Sequence, residues 1–173
     1  MSSETYGDTY GEVVDLARPP IRRSTVVAAA RERTFRVFVD RLAEWWPLDP
    51  FSLGGSGRIA SVTVDRRVGG TVTEHWHDGS SHDWGTLLAW NPPVGLTMTW
   101  NVTGTPTEVE LRFVALDGAS TRVDLEHRGW DRLSLEELRA ACALPGGYSG
   151  GAYERGWATI LGAFADAVRE DPR

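Results

Sequence analysis

Three histidines cluster around one predicted turn, in the segment HWHDGSSHD at residues 75–83. His75 and His77 are two residues apart, so they share a face of a strand, and His82 would join them across the turn. Three converging imidazoles could hold zinc with one open coordination position. A solvent-facing strand end tolerates histidine equally well, and no groups that would orient the rings are evident nearby. We therefore predict no metal and no other cofactor.

His127 is the first candidate for acid–base chemistry. In the segment TRVDLEHRGW it alternates with Val123 and Leu125, so it is the one polar side chain in an inward-facing series. An imidazole in that position could orient a ligand or act as an acid or a base. The alternative is a core histidine whose ring is satisfied by a hydrogen bond.

Glu74 is the second candidate. It shares a strand face with Trp76, and if that face is inward it is a buried carboxylate that could act as a general base. Pairing across the turn places His75 opposite Trp84, which puts Trp84 on the face opposite Glu74. Large apolar residues then lie on both faces, and a bulge would change the register. The inward face of the 71–90 hairpin therefore stays open.

Two further motifs carry little chemistry. Cys142 lies on a short amphipathic segment without a base beside it, which favours inert packing over a nucleophile. The segment GGSG at residues 54–57 precedes a predicted strand, so it lacks the helix N-terminus of a phosphate-binding loop.

Composition excludes several classes of function. The chain has 173 residues, the length of a single domain, and a formal net charge of −6. All 18 basic residues are arginine, which we attribute to a GC-rich bacterial genome, and they form no basic stripe for nucleic acid. No apolar stretch is long enough to span a membrane. One cysteine and the absence of a signal-peptide pattern indicate a cytoplasmic protein without disulfides.

Hydrophobic periodicity gives the elements that position these residues. Residues 1–20 are polar and acidic, so we expect a flexible N-terminal arm before a single domain at 21–170. A first strand within 21–30 is followed by a helical stripe over 35–46, which is split in two and stopped by Pro47.

After residue 57 the pattern changes to the two-residue period of strands, with six candidates separated by short turns. Turns this short imply an antiparallel meander. A capping box at Ser134 and Glu137 opens a short helix, a glycine-rich loop follows, and the last helix carries one long apolar face. A curved antiparallel sheet would hold this helix in its concavity, which predicts an α+β fold.

The order of these elements resembles the helix-grip fold of the SRPBCC (START/Bet v 1-like) superfamily. Five strings between residues 22 and 168 are similar to its activator-of-heat-shock-protein-ATPase-homologue-like branch: RERTFRVFVDRLAEWWP, RRVGGTVTEHWHDGSSHDWGTLLAWNPPVGLTMTW, TEVELRF, TRVDLEHRGW and YERGWATIL. The resemblance implies a cavity between sheet and helix that binds apolar or amphipathic small molecules, and some members are enzymes such as polyketide cyclases. The co-chaperone that names the branch has a separate N-terminal domain without a counterpart here.

Within such a fold, strand parity and helix spacing select the residues that would line the cavity. Trp46 continues the helical stripe and is expected in the core, whereas Trp45 points about 100° away and is expected at the cavity mouth. The alternative is that both indoles pack under the loop PLDPFSLGG. The candidate ligand-binding residues are Trp45, Trp76, Trp84, Met98, Trp100, Phe113, His127, Tyr153 and Trp157. The charged residues that alternate with the inward-facing ones should face water: Glu108, Glu110, Arg112, Asp124, Glu126 and Arg128.

Three hypotheses for function follow. The first is a binding module for a small hydrophobic or amphipathic ligand, with the loop PGGYSGG as a gate and the hydroxyls of Tyr148 and Tyr153 at its rim. The second is a cavity enzyme, a cyclase, dehydratase or hydrolase, that uses His127 with Glu74 or Tyr153. The third is a co-chaperone-like module that acts on a heat-shock ATPase. The sequence leaves a homodimer open.

Overall fold

The computed structural model describes residues 18–140 and 143–172, which form one antiparallel sheet and four helices. The strands are β1 (Ile21–Val27), β2 (Ile59–Val64), β3 (Thr71–Trp76), β4 (Ser81–Asn91), β5 (Gly95–Trp100), β6 (Thr107–Ala115) and β7 (Thr121–Arg128). The helices are α1 (Arg31–Asp40), α2 (Leu42–Trp45), α3 (Leu135–Arg139) and α4 (Ala152–Glu170). The helix-grip α+β fold predicted from the sequence is confirmed.

The sheet has the strand order β1-β7-β6-β5-β4-β3-β2, and every neighbouring pair is antiparallel. Burial alternates residue by residue along β6 and β7, so the parity predictions for these strands are confirmed. The charged residues occupy the outer face, where Arg128 pairs with Glu108 at 3.2 Å and with Glu110 at 2.6 Å.

The β3–β4 hairpin departs from the register that the sequence indicated. His75 pairs with Ser81, three residues before Trp84, and Glu74 pairs with His82. A shift by an odd number brings Trp84 to the face of Glu74, so the expectation that they lie on opposite faces is wrong. Both side chains are buried, and this face is therefore the inward one. A bulge at Trp84 adds an extra residue to β4 before the ladder resumes.

Helix α4 lies against the concave side of the sheet, and the core around Phe164 in its C-terminal half is filled. Phe164 is fully buried, and its ring centroid is 5.2 Å from that of Phe38, 5.1 Å from Trp45 and 6.5 Å from Phe113. Such edge-to-face aromatic contacts add to the stabilisation that apolar burial provides.

Within the ranges described, no helix combines the length and apolarity that crossing a bilayer requires.

The N-terminal arm is described only at its end. Residues 1–17, most of the arm predicted at 1–20, lie outside the described residues. The guanidinium of Arg18 donates to the carbonyl of Leu133 at 2.5 Å, and the carbonyl of Pro19 accepts a hydrogen bond from Tyr148 at 2.9 Å. The described end of the arm therefore contacts the domain.

Candidate ligand-binding pocket

A pocket of about 220 Å³ lies between the N-terminal half of α4, strands β4 and β5, and the loop that joins α2 to β2. Its floor consists of four buried indoles, Trp46, Trp84, Trp100 and Trp157. Helix α4 adds Ala152, Tyr153, Gly156 and Ile160. The half-buried or exposed residues around the mouth are Pro50, Phe51, Ser52, Leu53, Val102, Ala143 and Leu144. None of these described lining residues is charged.

The four indoles contact one another around the pocket. The ring centroids of Trp46 and Trp84 are 4.7 Å apart, and those of Trp100 and Trp157 are 5.2 Å apart. The two pairs are joined by longer contacts of 6.1 Å between Trp46 and Trp157 and 6.2 Å between Trp84 and Trp100. These separations are in the range of favourable aromatic pairs, so the floor is one continuous aromatic surface.

Hydrogen bonds fix three of these indoles in place. Trp46 donates to the carbonyl of Phe51 at 2.5 Å. Trp84 donates to Oε2 of Glu74 at 2.6 Å, and Trp157 donates to Nδ1 of His127 at 3.0 Å. Each indole presents apolar surface to the pocket while its N–H is satisfied by a group in the protein.

Glu74 is fully buried and accepts four hydrogen bonds. The backbone N–H groups of Leu53 and Gly54 donate to its two oxygens at 2.8 and 3.1 Å. The indoles of Trp76 and Trp84 donate at 2.8 and 2.6 Å. A carboxylate held by this many donors is already saturated, so it anchors the mouth loop and Trp84 to β3 and has no lone pair directed at the pocket.

His127 is likewise fully buried and lies behind the indoles. Because an indole N–H can only donate, Nδ1 of His127 accepts from Trp157, and the proton on Nε2 is donated to Oγ1 of Thr107 at 2.7 Å. Burial lowers the pKa of His127 from 6.5 to about 3, so the ring is neutral at pH 7. The geometry matches the alternative of a core histidine, with both ring nitrogens engaged by the protein.

The nine candidate ligand-binding residues fall into two groups. Trp84, Trp100, Tyr153 and Trp157 line the pocket. The other five do not: Phe113 and Trp45 pack around Phe164, Met98 borders a separate apolar void of about 30 Å³, Trp76 stacks on His82 at 4.0 Å, and His127 supports Trp157 from behind.

The two tryptophans at the end of α2 exchange their expected places. Trp46 lines the pocket, whereas Trp45 donates to the carbonyl of Phe38 at 3.0 Å inside the core. The predicted split of the stripe into two helices is confirmed, but the placement of Trp45 and Trp46 extends one helical phase across that split. The helix breaks at Arg41 and restarts at Leu42, which changes the phase of everything after it.

Sequence reasoning missed most of the mouth and part of the helix face. Phe51 and Leu53 belong to the loop PLDPFSLGG, which the sequence indicates only as a segment that packs over the indoles of Trp45 and Trp46. Gly156 and Ile160 lie three and seven residues after Tyr153, so the apolar stripe of α4 carried a signal for them.

The histidines near the β3–β4 turn make local contacts. Nε2 of His75 is 2.8 Å from Oγ1 of Thr63, and its Nδ1 is 3.1 Å from Oγ of Ser81. His82 stacks on Trp76. Among the residues that the structure describes, no three histidine, cysteine or acidic side chains are arranged to hold a metal ion.

The glycine-rich loop before α4 places Tyr148 away from the pocket, and its action as a gate stays a prediction. Tyr148 stacks on Trp130 at 4.7 Å and does not line the pocket, so its expected place at the rim is wrong. The segment GYSGG at 147–151 matches the Gly-x-Ser-x-Gly sequence of a hydrolase nucleophile elbow. The described residues 143–146 before it form no strand, so the strand–turn–helix geometry of that motif is missing. Cys142 lies outside the described residues.

A curved sheet gripping a C-terminal helix, with an aromatic pocket between them, defines a domain of the SRPBCC superfamily. Residues 28–168 match the family described as "Activator of Hsp90 ATPase homolog 1-like protein", and the chain belongs to that family. A comparison with curated proteins gave no match.

Several solved structures are similar to this chain. The synthase Txn09, described as an "anthrahydroquino-Gama-pyrone synthase", is 31% identical, with 86% of this chain and 96% of that chain covered and a TM-score of 0.54. CalC, a self-sacrificing resistance protein from Micromonospora echinospora, is 26% identical, with 88% and 96% covered and a TM-score of 0.61. An AHSA1-like protein from Aeromonas hydrophila, 20% identical, with 86% and 92% covered and a TM-score of 0.55, shares the fold.

Proposed function

We propose that this domain binds a small planar aromatic molecule of two or three fused rings in the pocket between α4 and the sheet. The observation that carries this proposal is the floor of four contacting indoles, which offers flat apolar surface to a flat guest. The pocket volume of about 220 Å³ exceeds the roughly 150 Å³ of a cavity that holds benzene. It is smaller than the roughly 300–1,000 Å³ typical of sites for drug-sized ligands.

Binding is favoured over acid–base catalysis by the state of the two candidate groups. Glu74 and His127 do not line the pocket, and their lone pairs and protons are engaged by protein partners. A general base needs a free lone pair within hydrogen-bond reach of the reacting proton. In this geometry both groups hold the walls of the pocket in place.

The pocket can be tested by filling it from α4. A Cβ atom at Gly156 would lie 3.1 Å from Cε1 of Phe51, whereas a Cβ atom at Gly162 would meet nothing within 4 Å. Gly156→Leu should therefore obstruct the pocket, and Gly162→Leu on the same helix is its matched control. We expect saturable binding of naphthalene to the wild type and to Gly162→Leu in calorimetric titrations, and at least about tenfold weaker binding to Gly156→Leu.

Equal affinity of the two variants would contradict the proposed site, and the absence of saturable binding to the wild type would contradict the proposed function. If naphthalene binds as expected, native mass spectrometry of the protein purified from its own host would identify the natural guest. A co-purifying aromatic molecule that Gly156→Leu fails to retain is the expected result.

A second candidate function is an enzyme that acts on an aromatic polyketide in the same pocket. It is favoured by the 31% identity to a synthase and by the placement of Tyr153 in the pocket wall. On this hypothesis Tyr153→Phe should abolish turnover of a hydroxyanthraquinone polyketide, followed by liquid chromatography and mass spectrometry, while binding persists. A wild-type protein that binds such a compound and returns it unchanged would exclude this hypothesis.

The co-chaperone-like role stays a prediction, which a pull-down with a heat-shock ATPase would test.

A further inference from the structure

The hydrogen-bonding groups of the pocket floor are almost all occupied. The indole N–H groups of Trp46, Trp84 and Trp157 donate to a carbonyl, a carboxylate and an imidazole of the protein. At the mouth, Ser52 donates to the carbonyl of Leu48 and accepts from the N–H of Gly55 at 2.9 Å. A guest that enters the pocket cannot engage these groups without breaking bonds that hold the wall.

Trp100 is the exception among the four indoles. It is 8% exposed and lines the pocket, yet its Nε1 donates none of the hydrogen bonds found among the described residues. In the described ranges two side-chain polar atoms have no solvent-accessible surface and no hydrogen-bond partner: Nε of Arg31 and Oε2 of Glu154. Nε1 of Trp100 is therefore accessible. Trp100 borders both the pocket and the separate void of about 30 Å³, but only apolar atoms face that void, so the pocket is the space into which its N–H can donate. Buried indole N–H groups usually have a partner.

We propose that the N–H of Trp100 donates a hydrogen bond to the guest, and that the guest is an aromatic ketone, quinone or pyrone with its carbonyl oxygen directed at β5. This inference rests on the proposed function and specifies the chemistry of the ligand. An indole N–H is a donor only, so its partner must be an acceptor. Because no charged residue lines the described pocket, a neutral carbonyl suits it better than a carboxylate, whose desolvation would be uncompensated.

Nuclear magnetic resonance of the wild-type protein gives the direct test. With ¹⁵N-labelled tryptophan, the indole N–H signal of Trp100 is assigned by its loss in Trp100→Phe. Naphthalene and chromone are planar two-ring probes of similar shape, and only chromone carries a carbonyl. Both should shift the signals of Trp46, Trp84 and Trp157 through ring currents. Chromone alone should move the Trp100 proton downfield, as a new hydrogen bond requires.

Affinities provide the second measurement. Trp100→Phe should weaken chromone binding about fivefold more than it weakens naphthalene binding, because only chromone loses a hydrogen bond. Trp90→Phe is the matched control, since Trp90 packs on Phe35 and does not line the pocket, and it should leave the chromone-to-naphthalene ratio unchanged.

The outcomes separate this inference from the proposed function. If neither probe shifts the pocket indoles, the proposed function fails and the inference falls with it. If both probes bind but chromone leaves the Trp100 proton where naphthalene leaves it, the inference is wrong and the proposed function stands. A ratio that stays unchanged in Trp100→Phe, or that changes as much in Trp90→Phe, would also overturn it. If Trp100→Phe folds poorly, nuclear Overhauser contacts in the wild-type protein assign the Trp100 signal instead, and the wild-type spectra still decide the matter.

Discussion

The two halves of α4 meet the sheet in different ways. Phe164, Ala167 and Val168 in the C-terminal half are buried in a filled core. In the N-terminal half the corresponding face includes Ala152 and Gly156, and the space that larger side chains would occupy is the pocket. One amphipathic helix therefore combines a half that stabilises the fold with a half that leaves room for a guest.

The walls of the two halves are also held differently. Around Phe164, aromatic rings contact one another on several sides and fix one another by packing. Around the pocket, each indole has one side without a packing partner. There Glu74 and His127 supply buried acceptors that hold Trp84 and Trp157 by hydrogen bonds. Glu74 and His127 are thus best understood as supports for an unfilled space.

The largest effect should come from emptying the filled half. Phe164→Ala removes a fully buried ring and should lower the free energy of unfolding by about 3–5 kcal/mol, measured by urea denaturation. Affinity for naphthalene should stay within about twofold of wild type, because Phe164 does not line the pocket. A large loss of affinity in folded Phe164→Ala would show that the two halves are not independent.

The next effect should come from the anchor of the pocket wall. In Glu74→Gln one of the two acceptor oxygens becomes an amide donor, so two of the four N–H groups that now donate to Glu74 lose their acceptor. We expect the free energy of unfolding to fall by about 2–3 kcal/mol and naphthalene affinity to fall with it. The control Glu126→Gln changes a carboxylate on the outer face and should cost less than about 1 kcal/mol. Equal effects of the two variants would contradict the anchoring role.

The regular parts of the fold were predictable because local patterns decide them. Strands β5 to β7 pair without a bulge, and burial alternates along β6 and β7, so the inward residues could be assigned by parity alone. The capping box at Ser134 and Glu137 forms as the sequence indicated, because both of its hydrogen bonds are local. The short turns then require an antiparallel meander. The apolar face of α4 is left with one surface on which to pack, the concave face of the sheet.

The pocket was harder to predict because its geometry depends on irregularities. A helix break at Arg41 decides which of Trp45 and Trp46 faces the pocket. In the β3–β4 hairpin His75 pairs with Ser81, three residues before the expected partner Trp84, and this shift brings Trp84 next to Glu74. The other donors to Glu74 include backbone N–H groups from a loop about twenty residues away in sequence, which no periodicity reveals.

Acidification should weaken the pocket half through His127. Its pKa is about 3 in the folded protein, against 6.5 for an unperturbed histidine, because burial disfavours the charged ring. Between these two values the unfolded chain binds a proton that the folded chain does not, so falling pH favours unfolding. This single group should lower the free energy of unfolding by about 1.5 kcal/mol between pH 6.5 and about pH 5. His127→Gln should lack that component, seen as the difference between the two stability-versus-pH profiles. Parallel profiles would contradict the assignment.

The smallest effect tests whether the pocket mouth is a firm wall. Gly162→Ala adds a methyl group where nothing lies within 4 Å and should stabilise α4 by close to the roughly 1 kcal/mol that separates alanine from glycine in helices. Gly156→Ala gains the same helix propensity, but its methyl group would lie 3.1 Å from the ring of Phe51. Its net gain should be smaller by about 0.5 kcal/mol if the ring is held against the pocket. Equal gains in the free energy of unfolding, measured by urea denaturation, would mean that Phe51 moves aside freely. The mouth of the pocket would then not be held in place as the filled core is.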